Sequence, residues 1–362
     1  MFETQTVSVA TSSSATIPSR AYAAQSTTSD LAPWNFERRA VGSHDVLIEI
    51  KFCGVCHTDI HFLKNDLGMS VFPMVPGHEI VGIVTAAGKL VKKFKQGDVV
   101  GVGCLVESCR ECTNCKEGEE QYCLNGAVFT YNGIEKETGN NTYGGYSNQI
   151  VVNEDFVLHV SDKLQLHAVA PLLCAGITTY SPLRRWNIGK TDKVAVIGLG
   201  GLGHMAVKFA VAFGAEVTLL STSSSKEADA VELGAHKFVL TTDDASVQQL
   251  AGYFDFILDT VASSHDLNIY LSMLSTHGTL VCLGIDPAST QISTLPMVFG
   301  ARSLSTSLIG GLAETQEMLD YCAEHNITAD VEIIDMKDIN KAYERMERRD
   351  VKYRFVIDMA TL

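Results

Sequence analysis

The apolar run VAVIG (194–198) leads directly into LGGLGH. Four more runs of strand length follow: EVTLL (216–220), KFVL (237–240), FDFILDTV (254–261) and TLVCLG (279–284). Stretches with helical patterning separate them, HMAVKFAVAFG and SKEADAVELG among them. Strand and helix alternating at this spacing predict a parallel sheet covered by helices on both faces. Gly198, Gly200 and Gly203 form G-x-G-x-x-G at the first strand-to-helix turn, with Gly201 and Leu202 completing it. The first glycine permits the tight turn, the second lets a pyrophosphate approach the backbone, and the third allows close helix packing. The helix that follows offers free N–H groups to phosphate.

The next strand predicts which dinucleotide binds. A site for NAD usually ends this strand with an acid that binds the ribose 2′-hydroxyl. Here it ends LLSTSSSK (219–226), with no carboxylate to repel a 2′-phosphate. Ser221, Thr222 and Ser223 offer hydroxyls and Lys226 a charge, so NADP(H) is expected.

Residues 17–165 carry a different pattern. DVLIEIKFCGVC, HEIVGIVTAAG and GDVVGVGC are short β-branched runs broken by turn residues, which predicts a mostly antiparallel domain. Beyond 311 come an amphipathic helix (TQEMLDYCAEH), a charged helix (DINKAYERMERR) and a last strand, RFVID. The expected order is an extension over 1–16, a β domain over 17–165, the parallel-sheet domain over 166–311 inserted into it, and a return over 312–362. The Ser/Thr-rich start reads as a flexible extension, with an organelle transit peptide as the weaker alternative. A balance of 28 basic to 42 acidic residues predicts neither a nucleic-acid nor a membrane-surface partner. No uninterrupted apolar run is long enough to span a bilayer. With no secretory leader in view, a cytoplasmic setting is expected, and the ten cysteines read as metal ligands or core thiols before disulfides.

Cys109, Cys112, Cys115 and Cys123 form C-x2-C-x2-C-x7-C. Four thiolates on one polar loop can close a tetrahedron around Zn²⁺, leaving no open position, so this site is expected to be structural. Iron–sulfur ligation and free surface thiols are the alternatives. Glu107, Glu111, Glu117, Glu119 and Glu120 on the same loop argue against a zinc module that grips nucleic acid. A second set is scattered: Cys56, His57, Thr58, Asp59 and His61 in FCGVCHTDIH, His78 and Glu79 in PGHE, and Cys174 in PLLCAG. No local spacing proves that these converge, and Cys174 alone reads as a core thiol.

GVCHTDIH, VPGHEIVG, the four-cysteine loop, LLCAGITTYSPL and GLGGLGH, in this order, resemble the zinc-dependent medium-chain alcohol dehydrogenases. GVGC, GGYS (144–147) and the ending KYRFVID are similar to their cinnamyl-alcohol-dehydrogenase branch and its bacterial aldehyde reductases. The resemblance implies a GroES-like, mostly β catalytic domain with an inserted Rossmann domain, hence α/β plus β. It implies a catalytic zinc on Cys56, His78 and Cys174, with Glu79 as an alternative ligand, and a structural zinc in the loop. Asp59 would accept a hydrogen bond from the ligand histidine, or simply start a helix. His57 would approach the pyrophosphate or be exposed. Thr178 would lie near the nicotinamide amide. A proton relay would run through Thr58 and the cofactor ribose to His61. Phe62, Cys104, Phe129, Ile285, Leu308 and Ile309 would line the substrate cleft, Cys104 being equally readable as core. Cys53, Cys282 and Cys322 read as core.

The implied function is a zinc- and NADP(H)-dependent alcohol dehydrogenase or aldehyde reductase acting on medium-chain or aromatic aldehydes. Phe62 and Phe129 depart from the plant cinnamyl enzymes, which places a lignin-type substrate in doubt. A ketone reductase of the same fold, a zinc-free enone reductase and a non-catalytic zinc-binding protein are the alternatives. Cys56, His78 and Cys174 argue against the zinc-free enzyme; the glycine turn, Thr58 and His61 argue against the non-catalytic one. SLSTSLIG (303–310) reads as an edge strand able to pair with a second copy, so a homodimer is expected.

Overall fold

The computed structural model describes residues 16–285 and 290–362. The extension expected over 1–16 lies, apart from Thr16, outside them.

Six parallel strands form one sheet. Across it run Lys237–Leu240, Glu216–Ser221, Lys193–Ile197, Phe254–Asp259, Leu274–Cys282 and Ser303–Thr306. In chain order this is 3-2-1-4-5-6, the Rossmann order. Its strand direction of winding reverses beside the first strand, where a crevice opens at the strands' carboxyl ends. The first strand stops at Ile197 because Gly198 takes φ +86°. The 254–261 run stops at Asp259, whose Oδ1 accepts the Val261 N–H at 3.0 Å and turns the chain. The last strand ends at Thr306, short of the expected 310. Beyond it the Leu308 and Leu312 N–H groups are drawn to another part of the molecule, described below.

The second sheet has seven strands. Val331–Asp335, Arg354–Asp358, Asp45–Gly54, Ile80–Ala87, Val99–Val102 and Leu158–His159 lie in that order, and Gln149–Asn153 also pairs with Asp45–Gly54. All its pairs are antiparallel except 331–335 with 354–358. Val356 sits opposite Gly54 and Ile357 opposite Cys53, so the C-terminal segment returns to the sheet the chain began. The architecture is a GroES-like β domain with a Rossmann domain, as the motifs implied.

One strand shows how the pattern positions the chemistry. Val46, Ile48 and Ile50 point into the core while Glu49 and Lys51 point away, the alternation a half-buried strand requires. Each fully buried aliphatic side chain contributes about 1.5–3 kcal/mol. A register shift between Ile50 and Phe52 then breaks the alternation, so Cys53 turns inward and is fully buried. Three residues later the chain delivers Cys56 to the start of a helix. Cys322 is likewise core, its thiol pushed up to about 12 by burial.

Candidate active site and metal centres

Three distant segments supply the first cluster. Cys56 precedes the His57–Lys64 helix, His78 precedes the Ile80–Ala87 strand, and Cys174 precedes the Ala175–Arg185 helix. The Cys56 and Cys174 sulfurs are 3.9 Å apart. Ligand atoms of Cys56, His78, Glu79 and Cys174 all lie within 4.8 Å of one another, and all four residues are buried. A zinc tetrahedron with metal–sulfur bonds of about 2.3 Å has edges of about 3.8 Å. Two thiols and an imidazole are the donors zinc prefers and magnesium or calcium does not.

Asp59 organises this cluster from below and is fully buried. Its Oδ2 accepts the Cys56 N–H at 2.9 Å, closing a capping box. Its Oδ1 lies 3.4 Å from His78 Nδ1 and accepts the Gly77 N–H at 3.3 Å. Asp59 thus stands both at the helix start and beside the His78 ring. The Tyr146 hydroxyl donates to Asp59 Oδ2 at 3.1 Å, and the Tyr343 hydroxyl donates to Tyr146 at 3.2 Å.

Glu79 Oε1 accepts from Arg354 Nη2, and Glu79 Oε2 has no hydrogen-bond partner among the described residues. Burial pushes the Glu79 carboxyl up to about 7, against the pull of the Arg354 guanidinium. Arg354 also packs under the glycine turn: a Cβ on Gly201 would stand 2.7 Å from its Cδ. One buried arginine thus ties the Cys56–His78–Cys174 cluster to the glycine turn.

In the second cluster the ligand atoms of Cys109, Cys112, Cys115 and Cys123 lie within 4.8 Å of one another. Cys109 and Cys115 sulfurs are 3.9 Å apart. Backbone N–H groups point at the sulfurs: Cys109 N to Cys123 Sγ at 3.4 Å, Cys112 N to Cys109 Sγ at 3.3 Å, and Leu124 N to Cys112 Sγ at 3.4 Å. Donors from Cys112 and Glu111 hold the Cys109 thiol down at about 6. Such N–H···S contacts favour thiolates, the form that binds metal.

At the glycine turn, Gly198 N–H donates to Leu220 O at 2.9 Å, which sets the turn beside the end of the Glu216–Ser221 strand. A Cβ on Gly203 would fall 2.1 Å from the Gly198 carbonyl oxygen, whereas a Cβ on Gly200 would meet nothing within 4 Å. The open space over Gly200 is where a pyrophosphate needs the backbone bare. Ser221, Thr222 and Ser223 line the adjoining strand end, and the Ser221 hydroxyl takes the Ser223 N–H at 3.2 Å. Lys226 lies with its ammonium 5.9 Å from the centre of the Tyr353 ring.

Two family models match the chain. "Alcohol dehydrogenase GroES-like domain" covers residues 42–162 and "Zinc-binding dehydrogenase" covers 201–324. The chain is 54% identical to "NADP-dependent alcohol dehydrogenase C 1" of Mycolicibacterium smegmatis over 94% of this chain and 98% of that protein. Its fold matches a cinnamyl alcohol dehydrogenase from Sorghum bicolor with a TM-score of 0.93 and 43% identity, covering 95% and 98% of the two chains. It matches the cinnamyl alcohol dehydrogenase of Helicobacter pylori, solved with NADP(H), with a TM-score of 0.90 and 43% identity, covering 96% and 99%. The chain belongs to the zinc-dependent alcohol dehydrogenases. Its branch is that of the cinnamyl alcohol dehydrogenases.

In this alcohol dehydrogenase the remaining predicted residues fall as follows. Thr58 Oγ1 is 3.5 Å from Cys56 Sγ. His61 follows one turn later on the same helix, its Nδ1 2.8 Å from Asp66 Oδ2, and His57 is exposed. Thr178 is buried in the first turn after Cys174. Cys104 is half-buried, its sulfur 3.9 Å from the Leu173 carbonyl oxygen. Phe62 packs edge-on against Tyr131 at 5.4 Å, and Tyr131 stacks on His78 at 5.7 Å. Phe129, Ile285 and Leu308 are exposed apolar side chains, while Ile309 is buried. Sequence reading missed Arg354, Tyr131, Tyr146 and Tyr343. Arg354 had a signal: a cation at the head of the apolar run RFVID needs a buried carboxylate. The tyrosines had none, because aromatic residues in a β domain default to core.

Proposed function

We propose that the chain is an aldehyde reductase, transferring hydride between NADPH and the carbonyl of medium-chain or aromatic aldehydes. The observation that carries this reading is the buried Cys56–His78–Cys174 cluster, joined through Glu79 and Arg354 to the glycine turn. When bound, zinc supplies Lewis acidity at the carbonyl oxygen and NADPH supplies the hydride.

Cys56, His78 and Cys174 hold the metal, and Glu79 stands beside them as the alternative ligand. Asp59 fixes the His78 ring through Nδ1 and so leaves Nε2 for the metal. Cys109, Cys112, Cys115 and Cys123 hold the structural zinc. Gly198, Gly200, Gly201, Leu202 and Gly203 bring backbone N–H groups to the pyrophosphate, and Thr178 faces the nicotinamide. Ser221, Thr222, Ser223 and Lys226 receive the 2′-phosphate. The Thr58 hydroxyl passes the proton, and His61 exchanges it with solvent through Nε2, because Nδ1 is engaged by Asp66. Phe62, Cys104, Phe129, Ile285, Leu308 and Ile309 form the cleft wall.

The same reading divides the chain at 17–165, 166–311 and 312–362. It makes the enzyme a homodimer in the cytoplasm. The Ser303–Thr306 strand has a neighbour on one side only among the described strands, and Leu295, Val298 and Phe299 close by are 63%, 73% and 84% exposed. An unpaired strand edge beside apolar surface suits a second copy of the same chain. No helix among the described residues is long and apolar enough to cross a membrane.

The test is a panel of aldehydes with both cofactors, followed by loss of reduced-nicotinamide absorbance. Turnover with NADPH and aromatic aldehydes is expected. Ser223→Asp is expected to reverse cofactor preference by at least about tenfold, since a carboxylate repels the 2′-phosphate and binds the 2′-hydroxyl. Equal losses with NADPH and NADH overturn the cofactor assignment.

A further inference from the structure

The four-cysteine loop reaches well beyond its own sulfurs. Glu120–Tyr122 forms one short turn between Cys115 and Cys123. The Tyr122 carbonyl accepts from Asn114 Nδ2 at 2.7 Å, which fixes the turn to the loop. The Tyr122 hydroxyl accepts the Leu308 N–H at 3.0 Å, and Glu120 Oε2 accepts the Leu312 N–H at 3.0 Å. Between these bonds a Cβ on Gly311 would stand 1.7 Å from the Gly118 carbonyl oxygen, so the two backbones touch. Segment 308–312 joins the last strand of the parallel sheet to the Leu312–His325 helix.

That connector is strained. Ile309 has φ +38°, a left-handed conformation that a β-branched residue avoids. Such a conformation persists only where the surroundings impose it. Here the impositions are visible: two hydrogen bonds and a backbone contact from the loop on one side. On the other side lies Ile177, whose Cδ1 would be 2.7 Å from a Cβ on Gly310. Ile177 directly precedes Thr178.

We propose that Tyr122 and Glu120 are positioning residues, through which the four-thiolate loop clamps the 308–312 connector and sets which aldehydes the cleft accepts. The proposal rests on the reading of Leu308 and Ile309 as cleft wall. The loop is then more than a stability device: its metal-held shape is transmitted to substrate choice. On that reading a bulky aldehyde would meet Leu308, and a two-carbon aldehyde is the small comparison.

The test compares cinnamaldehyde with acetaldehyde in the zinc-loaded enzyme. Tyr122→Phe removes the acceptor for Leu308, and Glu120→Ala removes that for Leu312. Glu120→Gln keeps an acceptor oxygen and serves as the rescue. Loss of one such bond is expected to raise KM for cinnamaldehyde about fivefold. Values of kcat, KM for NADPH and KM for acetaldehyde stay within twofold, and two zinc ions per subunit are retained. Amide hydrogen exchange at 308–312 speeds up in Tyr122→Phe and Glu120→Ala but not in Glu120→Gln. Equal changes for both aldehydes, no change in either, or loss of zinc overturn the proposal. Leu308→Ala separates the two claims. If it leaves the ratio of the aldehydes untouched, the cleft reading fails; if it shifts the ratio and Tyr122→Phe does not, the clamp fails.

Discussion

The two sulfur-rich sites use the same element for opposite ends. The four-thiolate loop draws all its ligands from fifteen consecutive residues and leaves Cys109, Cys112 and Cys123 half-exposed. Local spacing builds it, so the metal can supply the folding energy of a polar loop that has little apolar surface to bury. The Cys56–His78–Cys174 cluster draws on three segments, the first and last of them 118 residues apart, and every member is buried. Here the Asp45–Gly54 and Ile80–Ala87 strands of the seven-stranded sheet and the Ala175–Arg185 helix do the assembling. One site is closed by its sequence, the other by the tertiary fold. A closed set of four thiolates would leave nothing for a substrate, whereas a zinc held by three protein ligands would keep a position for one.

The largest effect breaks the comparison directly. Cys56→Ser is expected to cost about a thousandfold in kcat/KM, the scale of removing a Lewis acid that stabilises transition-state charge. The melting temperature should barely move, and one zinc per subunit should remain. Cys112→Ser is the mirror image. Losing the loop zinc is expected to lower the melting temperature by about 10 °C, taking roughly 3–5 kcal/mol at 2–4 °C per kcal/mol for large domains. Metal analysis with calorimetry on both variants decides the matter. If Cys56→Ser unfolds the enzyme, or Cys112→Ser leaves both metal and melting point intact, the division of labour is wrong.

A smaller effect sharpens the contrast. The buried site has an outer layer that the loop lacks: Asp59 holds His78, Tyr146 holds Asp59, and Tyr343 holds Tyr146. Asp59→Asn keeps the shape but removes the charge that orients the imidazole. A loss of about 10–100-fold in zinc affinity or activity is expected, as for other partners of metal-ligating histidines. Competition with a chelator measures it. Unchanged zinc affinity together with unchanged kcat/KM removes Asp59 from the site's design and leaves it only its helix cap.

This difference also explains what was legible beforehand. C-x2-C-x2-C-x7-C announces its chemistry because its geometry is local, and so does Gly198-x-Gly200-x-x-Gly203 after an apolar strand. The alternating strands and helices from Val194 onward gave the parallel sheet by the same logic. Cys56, His78 and Cys174 were legible only through family resemblance, since no local rule relates residues brought together by a register shift, a strand entry and a helix start. Arg354 and the Tyr146–Tyr343 pair that supports Asp59 were missed for the same reason. Their roles depend on a C-terminal strand pairing with residues three hundred positions earlier, as Val356 does with Gly54. Ile309 shows the limit most plainly: nothing in SLIG announces φ +38°, because Tyr122 and Glu120 impose it from outside.

Burial carries a further consequence, the smallest of those expected and confined to the inner region. His204, at the head of the helix after the glycine turn, is fully buried and stacks on Tyr353 at 4.9 Å. Its Nδ1 lies 3.2 Å from the Gly200 carbonyl oxygen. Burial drives its pKa down to about 3, with the Lys208 and Arg354 charges adding to the effect. The unfolded chain has an ordinary histidine near 6.5, so between those values the unfolded state binds the extra proton. A depressed folded-state pKa means the contribution is fully present above about 6.5 and is lost as pH falls toward 3. Moving from pH 7 to 5.5 should therefore cost the wild type about 1 kcal/mol more than His204→Phe, which keeps the stack and cannot titrate. Denaturant unfolding of both proteins at the two pH values isolates this share, because acid effects on the zinc ligands are common to both and cancel in the difference. Parallel losses would mean that His204 already carries its proton in the fold, and that the helix start beside the glycine turn is wetter than the packing around Tyr353 allows.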